Sequence, residues 1–161
     1  MSEEEMHWRL LDDGERREWA SYGFEPDTFH SWMLYRFQPQ EADAWREHGF
    51  DPEDAAKWRD AGVEPAEAEK WEEWGFEPFE IGPWRKLGIG PAEALKRVRR
   101  EWASYGFTEL ECNYWRSNGV GPIEATEWKN CGFNWQNAKP WIDKGFNPKD
   151  AAAARDRGIK P

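Results

Sequence analysis

The 161-residue chain sets 32 acidic against 22 basic residues, a formal charge of −10, and so lacks the basic stripe that a phosphate backbone requires. Its apolar fraction is only 39%, yet 13 Trp and 9 Phe give each buried position a large side chain, and the length suffices for a real core. No apolar stretch is long enough to cross a bilayer, and Cys112 and Cys131 share no CxxC spacing with each other and no ligand cluster with His7, His30 and His48. Two free thiols in a reducing compartment follow. With Met1 leading into Ser2 and three glutamates rather than a basic then apolar run, a soluble cytoplasmic protein without metal or cofactor is expected.

Residues 1–18 stand outside the pattern of the rest and predict an N-terminal capping helix. Ser2 and Glu5 make a capping box for it, Met6, Leu10 and Leu11 with Trp8 supply its apolar side chains, and Asp12-Asp13-Gly14 ends or bends it. A polar outer face is what the end of a stacked array needs.

A thirteen-residue tandem repeat then fills a first array, 19–90, with Trp in register at Trp19, Trp32, Trp45, Trp58, Trp71 and Trp84. Gly follows four residues after Trp, an apolar residue comes next, then Pro two further on, and a small or apolar residue three beyond that. The stretch Asp51 to Gly62 shows why each unit predicts one helix. Asp51 can cap the orphan backbone donors of the first turn, and Pro52 sits where its missing N–H is harmless. Glu53 and Asp54 favour the positive end of the dipole, and Gly62 stops a helix predicted over 52–61 by adopting the left-handed conformation, with Val63 as the apolar contact. So short a helix is marginal alone, and its stripe is little more than Ala55 and Trp58. Stacked units would bury Trp and Phe, which predicts an all-α fold, an α-solenoid of single-helix units. The architecture resembles helical repeat scaffolds in general, although ankyrin, TPR and HEAT units run to roughly 33–47 residues with two or three helices each.

Irregularities predict where the array deviates. Arg36 stands in a glycine place, and Ile81-Gly82-Pro83 makes a poor helix interior, so that helix should be short or distorted. Between Trp84 and Trp102 lie five residues more than the standard spacing, within a stretch free of breakers that predicts a long seam helix over 91–105. Residues 16–24 and 99–107 are the same nine residues, RREWASYGF, as a block duplication would leave them. A second array, 106–161, carries Trp102's successors Trp115, Trp128 and Trp141; Glu109 and Trp135 replace Pro, and Pro140 predicts a kink or early stop. The seam helix is no flexible linker, so one continuous domain is expected. At Ala154 the Trp place holds Ala, and Ile159 lies before a helix that does not follow, so this end is expected to receive another surface.

Chemistry is thin. Glu41, Asp54, Glu67, Glu80, Glu93 and Glu124 recur at the third helical position, where capping accounts for them better than acid/base catalysis. The glycines are isolated terminators rather than a phosphate loop, and no Ser/His/Asp or Cys/His set assembles. The basic run of Lys96, Arg97, Arg99 and Arg100 is either a face laced to Glu93 and Glu101 or a dock for an acidic partner. Met33, Leu34, Trp74, Phe79, Leu110, Ile123, Trp135 and Ile142 place apolar side chains where the repeat is otherwise polar, by local repair of packing or as an exposed patch. These features point to a non-enzymatic scaffold that binds a protein partner or further copies of itself, with no direct nucleic acid and no membrane; partner-binding residues would be Met33, Leu34, Trp74, Phe79, Leu110, Trp135, Arg97 and Arg100. The second reading is an acidic decoy that occupies a nucleic-acid-binding protein. A small-ligand receptor lined by Trp is the third.

Overall fold

Nearly every helix begins at a proline or a polar cap and stops just before a residue with positive φ, the first helix, which ends at an extended Leu11, being an exception. The computed structural model describes all 161 residues and is all-helical. In chain order its helices are α1 (Glu3–Leu10), α2 (Asp13–Ser21), α3 (Pro26–Leu34), α4 (Pro39–Glu47), α5 (Pro52–Asp60) and α6 (Pro65–Glu73). A 3-10 turn, Pro78–Glu80, follows, then α7 (Gly82–Lys86), α8 (Pro91–Ser104), α9 (Glu109–Ser117), α10 (Pro122–Asn130), α11 (Trp135–Asp143) and α12 (Pro148–Asp156).

Starts are built as the residues dictate. Asp51 Oδ1 accepts from the Asp54 amide at 2.9 Å, and Ser2 Oγ accepts from the Glu5 amide at 3.2 Å. Reciprocal capping boxes open α2 (Asp12 with Glu15) and α9 (Thr108 with Glu111). Endings repeat one geometry. The Phe24 amide donates to the Trp19 carbonyl at 3.2 Å and the Gly23 amide to the Ala20 carbonyl at 2.9 Å, the paired bonds of a Schellman ending. The apolar contact of that motif is Trp against Phe, edge to face, with ring centroids 5.0 Å apart for Trp19–Phe24 and 5.2 Å for Trp45–Phe50. The Trp ladder is core: every repeat Trp is buried except Trp84, which is half-buried.

Three irregular places came out differently from one another. Arg36 keeps the glycine conformation, φ 61°, as the one non-glycine residue with positive φ. Its amide donates to Met33 and that of buried Phe37 to Trp32, so the ending is held from both sides against a strain of about 1 kcal/mol. Around Gly82-Pro83 the helix is indeed broken, into the 3-10 turn and the five residues of α7. Pro140, however, does not stop α11, which continues to Asp143. The carbonyl it leaves without a helical donor belongs to exposed Gln136, and the Phe146 amide to Trp141 carbonyl bond at 3.0 Å fixes the usual ending beyond it.

The chain divides into two compact units, 1–91 and 92–161, with the boundary at the first turn of α8. A single continuous domain with a seam helix over 91–105 was expected; α8 runs for 14 residues, Pro91–Ser104. Within each unit, helices pack on their next neighbours but one as well as their neighbours: α1 on α3, α9 on α11, α10 on α12. Cations reach across that interval. Arg46 Nη2 donates to the Tyr22 carbonyl at 2.6 Å with its guanidinium 4.2 Å from the Phe24 ring centre, and Arg59 Nη2 donates to the Tyr35 carbonyl at 2.9 Å, 4.1 Å from Phe37. Arg85 treats Ala61, and Arg155 treats Cys131, in the same way. Each of these arginines therefore places positive charge on the negative end of a helix two units earlier, and three of the four also cover an aromatic face. At two endings without this latch another contact spans the same interval: His48 Nδ1 to the Glu69 carboxylate at 2.6 Å, and Lys139 Nζ to Asn118 Oδ1 at 3.2 Å.

Candidate functional site

The off-register apolar residues separate by exposure. Phe79, Leu110 and Ile123 each occupy the second residue of a helix or 3-10 turn and are 67%, 62% and 64% exposed. Leu34 and Trp74 are also exposed, Met33 and Ile142 half-buried. Trp135 is half-buried because it lies flat on Tyr114, with centroids 3.7 Å apart and planes 5° from parallel, so its side chain joins α11 to α9. Two shallow grooves are lined by these residues. In the first unit Phe79 and Pro78 sit with Lys57, Asp60, Ala61 and Glu77; in the second Ile123, Pro122 and Pro148 are rimmed by Glu101, Glu124, Glu127 and Asn147. Neither groove takes Met33, Leu34, Trp74 or Leu110 into its lining. Sequence reasoning had set Ile123 among the off-register residues without naming it as a contact, and the prolines at helix starts were the signal for the floor of its groove.

The basic run is laced to Glu93 as its spacing suggests, but its second ion pair goes to Glu109. Arg97 Nε donates to Glu93 Oε1 at 3.0 Å, and Arg99 pairs with Glu109. The Arg97 bond holds the Glu93 carboxyl below the usual carboxylate range. Arg100 is exposed. The recurring acids have several uses rather than one. Glu80 closes a capping box with Glu77, whereas Glu67 and Glu124 accept from the indole N–H of Trp71 and Trp128 at 3.4 and 3.3 Å, and Glu93 serves Arg97. Capping alone, the role read from sequence, thus undercounts them: two tie down the Trp ladder. Glu72 is pushed above the usual carboxylate range by burial first, then by the charges of Asp54, Glu77 and Glu69.

One cluster was not foreseen. Glu3 and His7 share a face of α1, and His30 reaches them from α3. The imidazoles of His7 and His30 stack with centroids 5.0 Å apart and planes 15° from parallel. His7 Nδ1 and His30 Nε2 are buried without a hydrogen-bond partner, at a cost of about 1–3 kcal/mol for each. Glu3 Oε1 lies 4.0 Å from His30 Nε2, and one ligand atom from each of the three residues falls within 4.8 Å of the others. The four-residue spacing of Glu3 and His7 was visible in the sequence; the approach of His30 depends on α1 packing against α3, with Trp8 edge-on to Phe29 at 5.2 Å. Met6 and Leu10 point away, exposed, and it is His7 and Trp8 that fasten the helix.

No protein-family model, no curated protein and no solved structure matches the chain. No helix is long and apolar enough to cross a membrane, and neither cysteine is in a disulfide.

Proposed function

We propose that the chain is a non-enzymatic scaffold, an α-solenoid of single-helix thirteen-residue units whose surface binds a protein partner. The observation that carries this reading is the exposure of Phe79, Leu110 and Ile123 at the second residue of a helix or 3-10 turn, while the repeat's own Trp and Phe are buried except Trp84 and Phe146, which are half-buried. Large apolar side chains left in water at a repeated position suit a partner surface better than a core. The Ile123 groove adds chemistry to the partner: an apolar floor rimmed by Glu101, Glu124 and Glu127 fits a segment with apolar anchors and basic flanks.

The second reading, an acidic decoy, is favoured by the carboxylates that crowd Glu72. Salt separates the two. Proteins captured by the wild-type chain at low and high ionic strength are compared with those captured by Phe79→Ser/Ile123→Ser, with light scattering on the bait alone to register self-association. A scaffold keeps its partner at high salt and loses it in the double variant. A decoy loses its partner at high salt and keeps it in the variant. Partner binding and self-association that both ignore the two substitutions overturn the scaffold reading.

A further inference from the structure

The cluster of Glu3, His7 and His30 lies outside both grooves of the proposed scaffold, and its geometry is that of a donor set rather than a hydrogen-bond network. Two imidazole nitrogens are buried and unpartnered, and His30 is only 9% exposed. Between them and the Glu3 carboxylate the separations are too long for hydrogen bonds, 4.0 Å for the Glu3–His30 pair and within 4.8 Å for all three. A shared cation changes what these distances mean. Ligand bonds of about 2.0–2.2 Å place neighbouring donors of a tetrahedral site roughly 3.3–3.6 Å apart, so the three atoms stand near the shell that one ion needs. Glu3 is exposed, in the first turn of α1, and free to swing its carboxylate inward; the stacked rings need only tilt. Neutral imidazole nitrogens with one carboxylate make an N2O donor set, which suits zinc and its neighbours better than magnesium or calcium.

We propose that Glu3 Oε1, His7 Nδ1 and His30 Nε2 form a binding site for one divalent transition-metal ion of the zinc class, which fastens α1 to α3. Water completes the coordination shell. The ion gives both buried nitrogens a partner, and it joins a short helix without buried residues to the hydrophobic core through His30.

The test uses the full chain, stripped of metal with a chelator and titrated with zinc by calorimetry, then with cobalt(II) followed by its visible absorption. One zinc per chain is expected, with cobalt bands of a low-coordinate nitrogen and oxygen site and a raised unfolding temperature. Glu3→Gln, His7→Gln and His30→Gln should each weaken binding by roughly tenfold or more, while His48→Gln, at a histidine outside the cluster, should leave it unchanged. Far-ultraviolet dichroism monitors the fold of each variant. Should either histidine variant unfold, Glu3→Gln reads the same site, because it alters only an exposed side chain. Absence of saturable zinc binding overturns the site, and so does zinc binding that persists unchanged in Glu3→Gln.

Discussion

Residues 16–24 and 99–107 are the same nine residues in two different helices. In the first copy they belong to the nine-residue α2, and in the second they are the final stretch of the 14-residue α8 and the ending after it. The endings match closely. Ser21 Oγ and Ser104 Oγ both donate to the Glu carbonyl three residues earlier at 2.6 Å, and the Trp–Phe centroids are 5.0 and 5.1 Å apart. Gly23 and Gly106 have φ of 77° and 82°. The starts share nothing. Asp12 and Glu15 cap α2 just ahead of the duplicated arginines, and Arg16 turns back to Asp13 and the Arg9 carbonyl. In α8 the helix has already run through Ala94, Leu95 and Val98, all buried, and Arg99 reaches forward to Glu109. A helix of this chain is therefore ended by its own residues and begun by whatever precedes them.

The largest test of that rule is at the shared ending. Trp19→Ala and Trp102→Ala should each cost about 3–5 kcal/mol in chemical denaturation, because both side chains are buried whatever the helix length. A near-neutral result for either would show the ending to be held from elsewhere. Next comes the start. Val98→Pro removes a hydrogen bond inside α8 and should cost about 3 kcal/mol or more, whereas Glu15→Pro, at the matching place of the first copy, lies in the first turn and should cost only the cap, about 1 kcal/mol. Equal losses would mean that the two starts are not distinct after all.

A smaller contrast lies in what covers each ending. Phe24 carries the Arg46 guanidinium, which also bonds a carbonyl, while Phe107 carries Lys129, 4.6 Å from its ring centre. Arg46→Met should cost about 1–2 kcal/mol and Lys129→Met about 0.5 kcal/mol, both readable as shifts in urea midpoint. The smallest effect is electrostatic. Glu72 has a raised folded-state pKa, so its ionisation opposes folding, and stability falls as pH rises from the ordinary carboxylate range through that raised value. Glu72→Gln should therefore be slightly more stable than the parent at neutral pH, with the gain gone in acid below the ordinary range. A gain that persists unchanged in acid would assign the effect to packing.

What was legible in the sequence follows the same division. Asp51 and Pro52 fix where α5 starts and Gly62 where it ends through bonds spanning no more than six residues, so those features can be read from a window. The fate of Arg36 was only half legible: its place in the register was plain, but its acceptance of φ 61° depends on the burial of Phe37. Pro140 misled because propensity speaks for an isolated helix, and α11 is held through Trp141 and Ala138 in the core. The latches and the meeting of His7 with His30 lie beyond any local window, since they need helices to be stacked before the partners are known. Exposure was the hardest to read: Trp135 and Trp74 look alike as intrusions into the repeat, and only one of them has Tyr114 to lie on.

The arginine latches also impose a timetable on the nascent chain. Arg46 and the Tyr22 carbonyl are 24 residues apart, and the same interval separates Arg59 from Tyr35 and Arg155 from Cys131. At about 5–20 residues per second, each helix ending waits roughly one to five seconds on the ribosome before its cation has been made. During that interval Phe24 or Phe133 is open to water on the face its arginine will cover. Synthesis thus exposes a moving window of uncovered aromatics about two helices wide, and a chaperone that binds such rings would follow the growing end of the chain and let go of each unit in turn.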